Sequence, residues 1–431
     1  MVFNVIVGRG ESDNKVLGMK GLAYIGKSYV NMENYTSLSN PIYMDISRSH
    51  VLLVAGKRGS GKSYTLGVIS EAISEMQGEQ DLNIASLIFD TMGIYWTMKF
   101  KNYKDKEMLS SWNLEPKDIK TEVFAPAGYF QEYSEKGIPV DKEFRIKLSE
   151  LNSEDWISLF ELNFTQDESV LIARVITNLK ERETFNFDNI FEEIENESKT
   201  TQETKNSVIS LFEVARSWKI FDELEGTAIR DLVKAGQTSI IDLSMYSSIG
   251  SFNVRALVIS LVCKRLFIER MAARKEEEVT SVQRGLSSGY LSGGGDMPLV
   301  WILIDEAHEF LVKEGKTPAS DALIQLLREG RQPGISLVLA TQQPGKIHTD
   351  AMTQADIVLS HKLTSDMDVA ALNSIMQNYV LEGIKQKMNT LPKQKGSAIL
   401  LDDNSERIYQ IKIRPRFTWH GGEAPSAIRK I

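Results

Sequence analysis

Cysteine is almost absent: the 431-residue chain has one, Cys263. A lone thiol excludes an internal disulfide framework and fits a reducing, cytoplasmic setting. It lies in the apolar run 256–267, so a buried, inert thiol is expected. Long apolar runs are missing too. Stretches such as 51–55 and 299–304 fall far short of the roughly 20 residues that span a bilayer. The N-terminus lacks the apolar core and small-residue cleavage site of a signal peptide. No membrane partner is expected. The five histidines (His50, His308, His348, His361, His420) are scattered, with no Cys/His cluster at zinc spacing. No structural metal is expected. Positive charge is also short: the formal net charge is −8. That sign excludes a chain coated in nucleic acid but leaves room for a small basic pore, because phosphate contacts are local.

What is present is an ordinary globular composition, 42% hydrophobic and 25% charged. A single core stops growing near about 250–300 residues, so the length implies one large α/β core with an added lobe. Residues 1–47 read as short strands at 3–7, 21–25 and 41–46, too few to close a barrel. The run 51–55 is continuously apolar, as in a strand buried on both faces of a parallel sheet. A glycine-rich turn follows. Apolar spacing at Leu66, Ile69, Ala72, Ile73 and Met76 then predicts a helix over 63–76, and 84–89 is a second buried strand ending at Asp90. Strand, loop, helix and strand make the unit of a parallel sheet. Residues 104–235 are rich in Glu, Lys, Asn and Phe and read as a mainly helical insertion. Strands return at 238–243, 299–304, 335–340 and 357–361, and a hairpin closes at 397–401 and 407–413. The Gly/Ser-rich stretch 280–297 reads as a mobile loop.

The chemistry is concentrated at strand ends. Gly56-Lys57-Arg58-Gly59-Ser60-Gly61-Lys62-Ser63, followed by Tyr64, has the spacing of a phosphate-binding P-loop. Its glycines let backbone N–H groups turn around phosphate oxygens, and the helix behind adds its positive end. Lys62 is expected to reach the β- and γ-phosphates of ATP, and Ser63 to ligate Mg2+. The strand 299–304 ends in Asp305 and Glu306, where ligands bind in such sheets. Asp305 is the second candidate metal ligand, and Glu306 is the candidate for polarising the attacking water. His308 reads as a packing residue. Strand 335–340 ends in Thr341-Gln342-Gln343, and Gln342 is the amide expected to touch the γ-phosphate or orient water. Ahead of it, Arg331 and then Arg328 are candidates to meet the charge that develops in phosphoryl transfer, from a neighbouring subunit. Arg48 is a weaker candidate. Lys99, Lys101, Lys104 and Lys106, interleaved with Phe100 and Tyr103, read either as a solvated loop or as a DNA-gripping pore loop.

These motifs, in this order, resemble the HerA family of the HerA/FtsK group of P-loop ATPases. The resemblance runs from about Gly18 to Arg416. It rests on 18–26 ahead of Ser49-His50-Val51, on the P-loop, on Asp305-Glu306-Ala307-His308-Glu309-Phe310, on 328–344, and on Ile411-Lys412-Ile413-Arg414-Pro415-Arg416. It implies an α/β, RecA-like P-loop core with a mostly parallel sheet, an inserted helical lobe and a reduced N-terminal β segment. The expected division is 1–47, 48–103, 104–235, 236–416 and a tail 417–431. It further implies a homohexameric ring moving double-stranded DNA through its pore with a NurA-like nuclease, and Arg331 acting in trans. After Asp90 the family often carries Gly-Glu, where this chain has Gly93-Ile94. Two functions follow as expectations. One is a DNA translocase or helicase working with a nuclease in end processing. The other is a hexameric ATPase scaffold regulating an effector, a nuclease or NAD-consuming enzyme, in antiviral defence.

Overall fold

The structure, a computed structural model, describes residues 3–32, 35–80, 82–247, 252–284, 297–363, 365–375 and 387–423. Most of the 280–297 stretch, and residues 424–431 of the tail, lie outside the described residues.

Fifteen strands are described: β1 (Val5–Val7), β2 (Leu22–Met32), β3 (Tyr35–Asp45), β4 (Val51–Ala55), β5 (Ile84–Asp90), β6 (Thr121–Pro126), β7 (Lys142–Phe144), β8 (Ile146–Lys147), β9 (Phe221–Asp222), β10 (Thr238–Asp242), β11 (Leu299–Ile304), β12 (Ile335–Thr341), β13 (Ile357–His361), β14 (Ser397–Asp402) and β15 (Arg407–Ile413). Thirteen join one sheet in the order β1-β3-β2-β15-β14-β13-β4-β12-β11-β5-β10-β6-β7. From β13 to β7 every pairing is parallel. The hairpin β14–β15 turns the sheet antiparallel, and β2 and β3 extend it.

Continuous apolar strands fit burial on both faces. Along β4, Leu52 and Val54 enter one core layer and Leu53 and Ala55 the other. Along β11 the layers divide as Trp301 and Leu303 against Ile302 and Ile304. The helix Lys62–Gln80 covers one face through Leu66, Ile69 and Ile73. The long helix Phe252–Arg284 and the helix Ser320–Glu329 cover the other.

The N-terminal segment forms no separate barrel among the described residues: β1, β2 and β3 are part of the main sheet. Between 104 and 235 the middle is helical, with helices Ser153–Leu159, Asp167–Leu179, Phe187–Asn196 and Gln202–Ser217. Trp156 anchors them, its ring 4.9 Å from that of Phe212. Before this bundle, β6 and β7 lengthen the parallel edge of the sheet. In β7 the polar composition, with only Phe144 buried, hid the strand in the sequence; in β6 the buried stretch is just four residues long and sits in polar surroundings.

Candidate nucleotide site

The carboxyl ends of the neighbouring strands β4, β12 and β11 form the rim where open α/β sheets bind ligands. The turn from β4 into helix Lys62–Gln80 is steric in origin. A Cβ at Gly56 would sit 2.4 Å from Ser60 Oγ and 2.8 Å from His361 Cβ. Gly61 has φ +114°, a region that residues with side chains rarely adopt. The backbone thus curls ahead of the helix N-terminus, a shape that suits an anion. Lys57, Arg58 and Gly59 are exposed on the outer lip.

Lys62 is 5% exposed, and its Nζ donates to the Lys57 carbonyl at 3.5 Å. Burial pushes its pKa down, while the charges of Glu306 and Asp305 pull it up. Ser63 Oγ donates to Asp305 Oδ2 at 2.5 Å, joining two residues 242 positions apart. Tyr64 turns its side chain away from the cradle: its hydroxyl accepts from Arg416 N–H at 2.7 Å.

β11 runs directly into Asp305, and Glu306 follows at φ 51°, in the left-handed region. Such a conformation in a non-glycine residue costs on the order of 1–3 kcal/mol and must be held by its surroundings. Glu306 Oε1 accepts from Gln342 Nε2. Glu306 Oε2 is buried and has no hydrogen-bond partner among the described residues. Burial raises the Glu306 pKa above the usual glutamate range, against the pull of Gln342 and Lys62. His308 packs behind, its Nδ1 3.2 Å from Thr341 Oγ1 and its Nε2 3.4 Å from Gln343 Nε2. Burial, then the Lys62 and Lys346 charges, push its pKa down.

The structure therefore brings Lys62, Ser63, Asp305, Glu306 and Gln342 together. It leaves Arg331 and Arg328 apart from them. Both precede the amino end of β12, whose seven residues separate that end from Gln342 by about 20 Å at the usual strand rise. Arg331 is exposed, and Arg328 is paired with Asp350 at 2.6 Å. Arg48 is paired with Asp13 at 3.0 Å. Three of the four loop lysines are neutralised within the chain: Lys99 by Asp141, Lys101 by Asp118 and Lys104 by Glu423. Phe100 and Tyr103 remain exposed.

Residues 24–266, more than half of the chain, match the family described as the central domain of helicase HerA. The chain belongs to this HerA family. It is 26% identical over 344 residues to the DNA double-strand break repair helicase HerA of Sulfurisphaera tokodaii, covering 77% of this chain and 57% of that one. Against the protein of the same name from Saccharolobus solfataricus the identity is 23%, over 80% and 59% of the two chains. The chain thus spans less than three fifths of the length of these curated relatives. Among solved structures, VirB4 of Thermoanaerobacter pseudethanolicus is similar at a TM-score of 0.55 and 13% identity, covering 95% of this chain and 98% of that one. The bacterial conjugative coupling protein TrwB is similar at 0.50 and 13%, over 87% and 86%. At such identities the likeness speaks for the fold: an α/β, P-loop type of sheet.

Three residues of this HerA-family chain matter at the site and were not singled out from the sequence. Tyr95, beyond β5, places its hydroxyl 3.2 Å from Asp305 Oδ2. His361, at the tip of β13, lies under the P-loop. Its Nδ1 donates to the Ser397 carbonyl at 3.1 Å, so its Nε2 accepts from Thr65 Oγ1 at 2.9 Å. Burial pushes its pKa down to about 4, which keeps it neutral. Glu71, fully buried in the P-loop helix, holds Arg414 at 2.8 Å and Arg416 at 3.2 Å. Only the position of Tyr95, just past a strand-end acid and a glycine, carries a local signal.

Proposed function

We propose that this chain is an ATPase that couples Mg2+-dependent ATP hydrolysis to the movement of double-stranded DNA. The observation that carries this reading is the meeting of Ser63 with Asp305 beside a buried Lys62. A hydroxyl and a carboxylate fit a hard divalent cation. The Gly56 cradle, closed to any Cβ, fits a phosphate chain, and the buried Glu306 Oε2, with no hydrogen-bond partner among the described residues and His308 Nδ1 3.6 Å away, fits a water. Ser63 and Asp305 would hold Mg2+, which would supply positive charge to the phosphates. The backbone from Gly56 to Tyr64 cradles the phosphates, and Lys62 meets the β- and γ-oxygens. Glu306 orients and polarises the attacking water, and Gln342 fixes Glu306 and senses the γ-phosphate. Arg331 supplies positive charge from a neighbouring subunit, with Arg328 second. The strand length that keeps Arg331 from its own site supports this assignment. It requires a neighbouring copy of the chain, and a homohexameric ring is the form we propose, working in the cytoplasm with a NurA-like nuclease. The chain divides, in this reading, into the five segments 1–47, 48–103, 104–235, 236–416 and 417–431.

A second reading is favoured by one observation. The ion pairs of Lys99, Lys101 and Lys104 spend the charge of the one basic aromatic stretch within the chain. A hexameric ATPase scaffold that regulates an effector, a nuclease or NAD-consuming enzyme in antiviral defence, needs no DNA grip there. Steady-state ATP hydrolysis with and without duplex DNA separates the two. Strong stimulation supports translocation. Hydrolysis indifferent to DNA at low salt overturns it in favour of the scaffold.

A further inference from the structure

Asp305 is held by three donors from three parts of the chain. Its Oδ2 accepts from Ser63 Oγ at 2.5 Å and from the Tyr95 hydroxyl at 3.2 Å, and its Oδ1 accepts the Glu306 N–H at 2.9 Å. Ser63 belongs to the P-loop helix and Glu306 to the kink after β11. Tyr95 belongs to a turn that enters from β5. The Tyr95 side chain is 1% exposed, so water does not compete for its hydroxyl, whose other acceptor is the Ser63 carbonyl at 3.4 Å, the longer of the two contacts.

The turn that aims Tyr95 is itself fixed. Asp90, the last residue of β5, accepts the N–H groups of Met92 at 3.1 Å, Gly93 at 2.8 Å and Tyr95 at 2.7 Å. Trp96 Nε1 donates to the Gly93 carbonyl at 3.0 Å and closes the turn from the far side. With only the Glu306 N–H on Oδ1 and Ser63 on Oδ2, the carboxylate could still pivot about the line joining those two contacts. A second donor on the same oxygen, from a different element, removes the pivot. Groups that orient a ligating side chain in this way are worth about 10–100-fold in metal affinity.

We propose that Tyr95 is a positioning residue for the cation site: its O–H holds the Asp305 carboxylate so that Oδ2 faces the same point as Ser63 Oγ. The inference rests on the reading of Ser63 and Asp305 as Mg2+ ligands. It goes beyond that reading in assigning a role to the turn after β5, where the chain lacks an acid at Ile94.

The test is equilibrium binding of a fluorescent, non-hydrolysable ATP analogue to the full chain, titrated with Mg2+ and repeated in EDTA. It compares wild type, Tyr95→Phe and Ser63→Ala, each normalised to folded protein by its thermal transition. Tyr95→Phe keeps the ring and its packing and deletes one hydroxyl. The expected result is that Tyr95→Phe raises the Mg2+ concentration for half-maximal binding by about tenfold, the lower end of the range for orienting partners. Affinity in EDTA should stay unchanged, and in turnover kcat should fall more than KM changes. If Ser63→Ala shifts the Mg2+ requirement and Tyr95→Phe does not, the Tyr95 proposal is overturned while the metal reading stands. If neither shifts it, the metal reading itself fails and the proposal with it. Equal loss of binding with and without Mg2+ in Tyr95→Phe marks a structural role and also overturns the proposal. Should Tyr95→Phe not fold, Asp90→Asn, which loosens the turn while keeping the hydroxyl, is measured in the same way. An unchanged Mg2+ requirement in that variant counts against the proposal.

Discussion

Lys62 sits almost out of water between a carbonyl and two carboxylates. A buried ammonium is costly unless its charge is answered, and here Glu306 and Asp305 answer part of it. The phosphates of a bound nucleotide answer the rest. Lys62→Ala is therefore expected to lower ATP turnover to background while leaving the thermal transition within a few degrees of wild type. A malachite-green phosphate assay beside a melting curve checks both. These residues were legible because each follows directly from a strand in the sequence: the P-loop after β4, Asp305 after β11, Gln342 after β12. The place of Tyr95 after a strand-end acid and a glycine is a local signal, but its role was not legible, because it is a contact with a residue 210 positions away. Glu71 was hidden for the same reason: its partner Arg414 lies 343 positions on.

At the scale of elements, an acid pair and a single buried acid make opposite demands on the fold. Asp90 and Asp242 end β5 and β10 and are register partners on parallel strands, so their side chains leave the same face. Burial, then the neighbouring Asp242, push Asp90 up to about 8, and burial raises Asp242 as well. A carboxyl whose folded pKa is raised binds its proton more tightly in the folded chain. Its stabilising contribution is full below the unfolded value of about 3.9 and is lost as pH rises through the folded value. Stability should therefore decline from pH 5 to pH 8. Asp242→Asn should flatten that decline, as read from urea midpoints at each pH. A slope unchanged in the variant would show that the pair does not titrate in this window.

Glu71 is the contrary case. Burial alone would raise its pKa, but Arg414, Arg416 and the Thr418 donors outweigh burial and leave it below the usual glutamate range. The pair ties the segment after β15 onto the P-loop helix, where Phe417 and Thr418 N–H groups also donate to Glu71. Glu71→Ala leaves two buried arginines without their acid, and breaking a buried pair costs about 3–5 kcal/mol. A matching loss in the urea unfolding free energy is expected. Among residues 62–76 of this helix no side chain is exposed, and the segment after β15 covers part of its outer face through Arg414, Arg416 and Phe417. That explains why a helix with apolar residues on several sides was readable as a helix while the segment packed over it was not.

For the whole molecule, the sheet decides what one chain can and cannot do alone. Its parallel half gathers five candidate residues at one rim and holds Arg331 at the other. Fold class was readable because buried parallel strands are uniformly apolar. The joining of β1, β2 and β3 into the same sheet was not, because the one link among the described residues that brings them in, β2 against β15, sets Gly26 opposite Ile413. Arg331→Ala should abolish turnover and spare nucleotide binding. Mixed with Lys62→Ala subunits, it should recover a fraction of wild-type hydrolysis at interfaces that combine one intact lysine with one intact arginine. No recovery at any mixing ratio would contradict action across subunits.

Whether the P-loop and the acids after β11 form one hydrolytic site is read from single-turnover ATP hydrolysis by Glu306→Gln, with bound nucleotide measured in the same samples. ATP should be retained at wild-type affinity and cleaved at least about a hundredfold more slowly, within the range for loss of a positioned general base. Normal cleavage in that variant would contradict a single site.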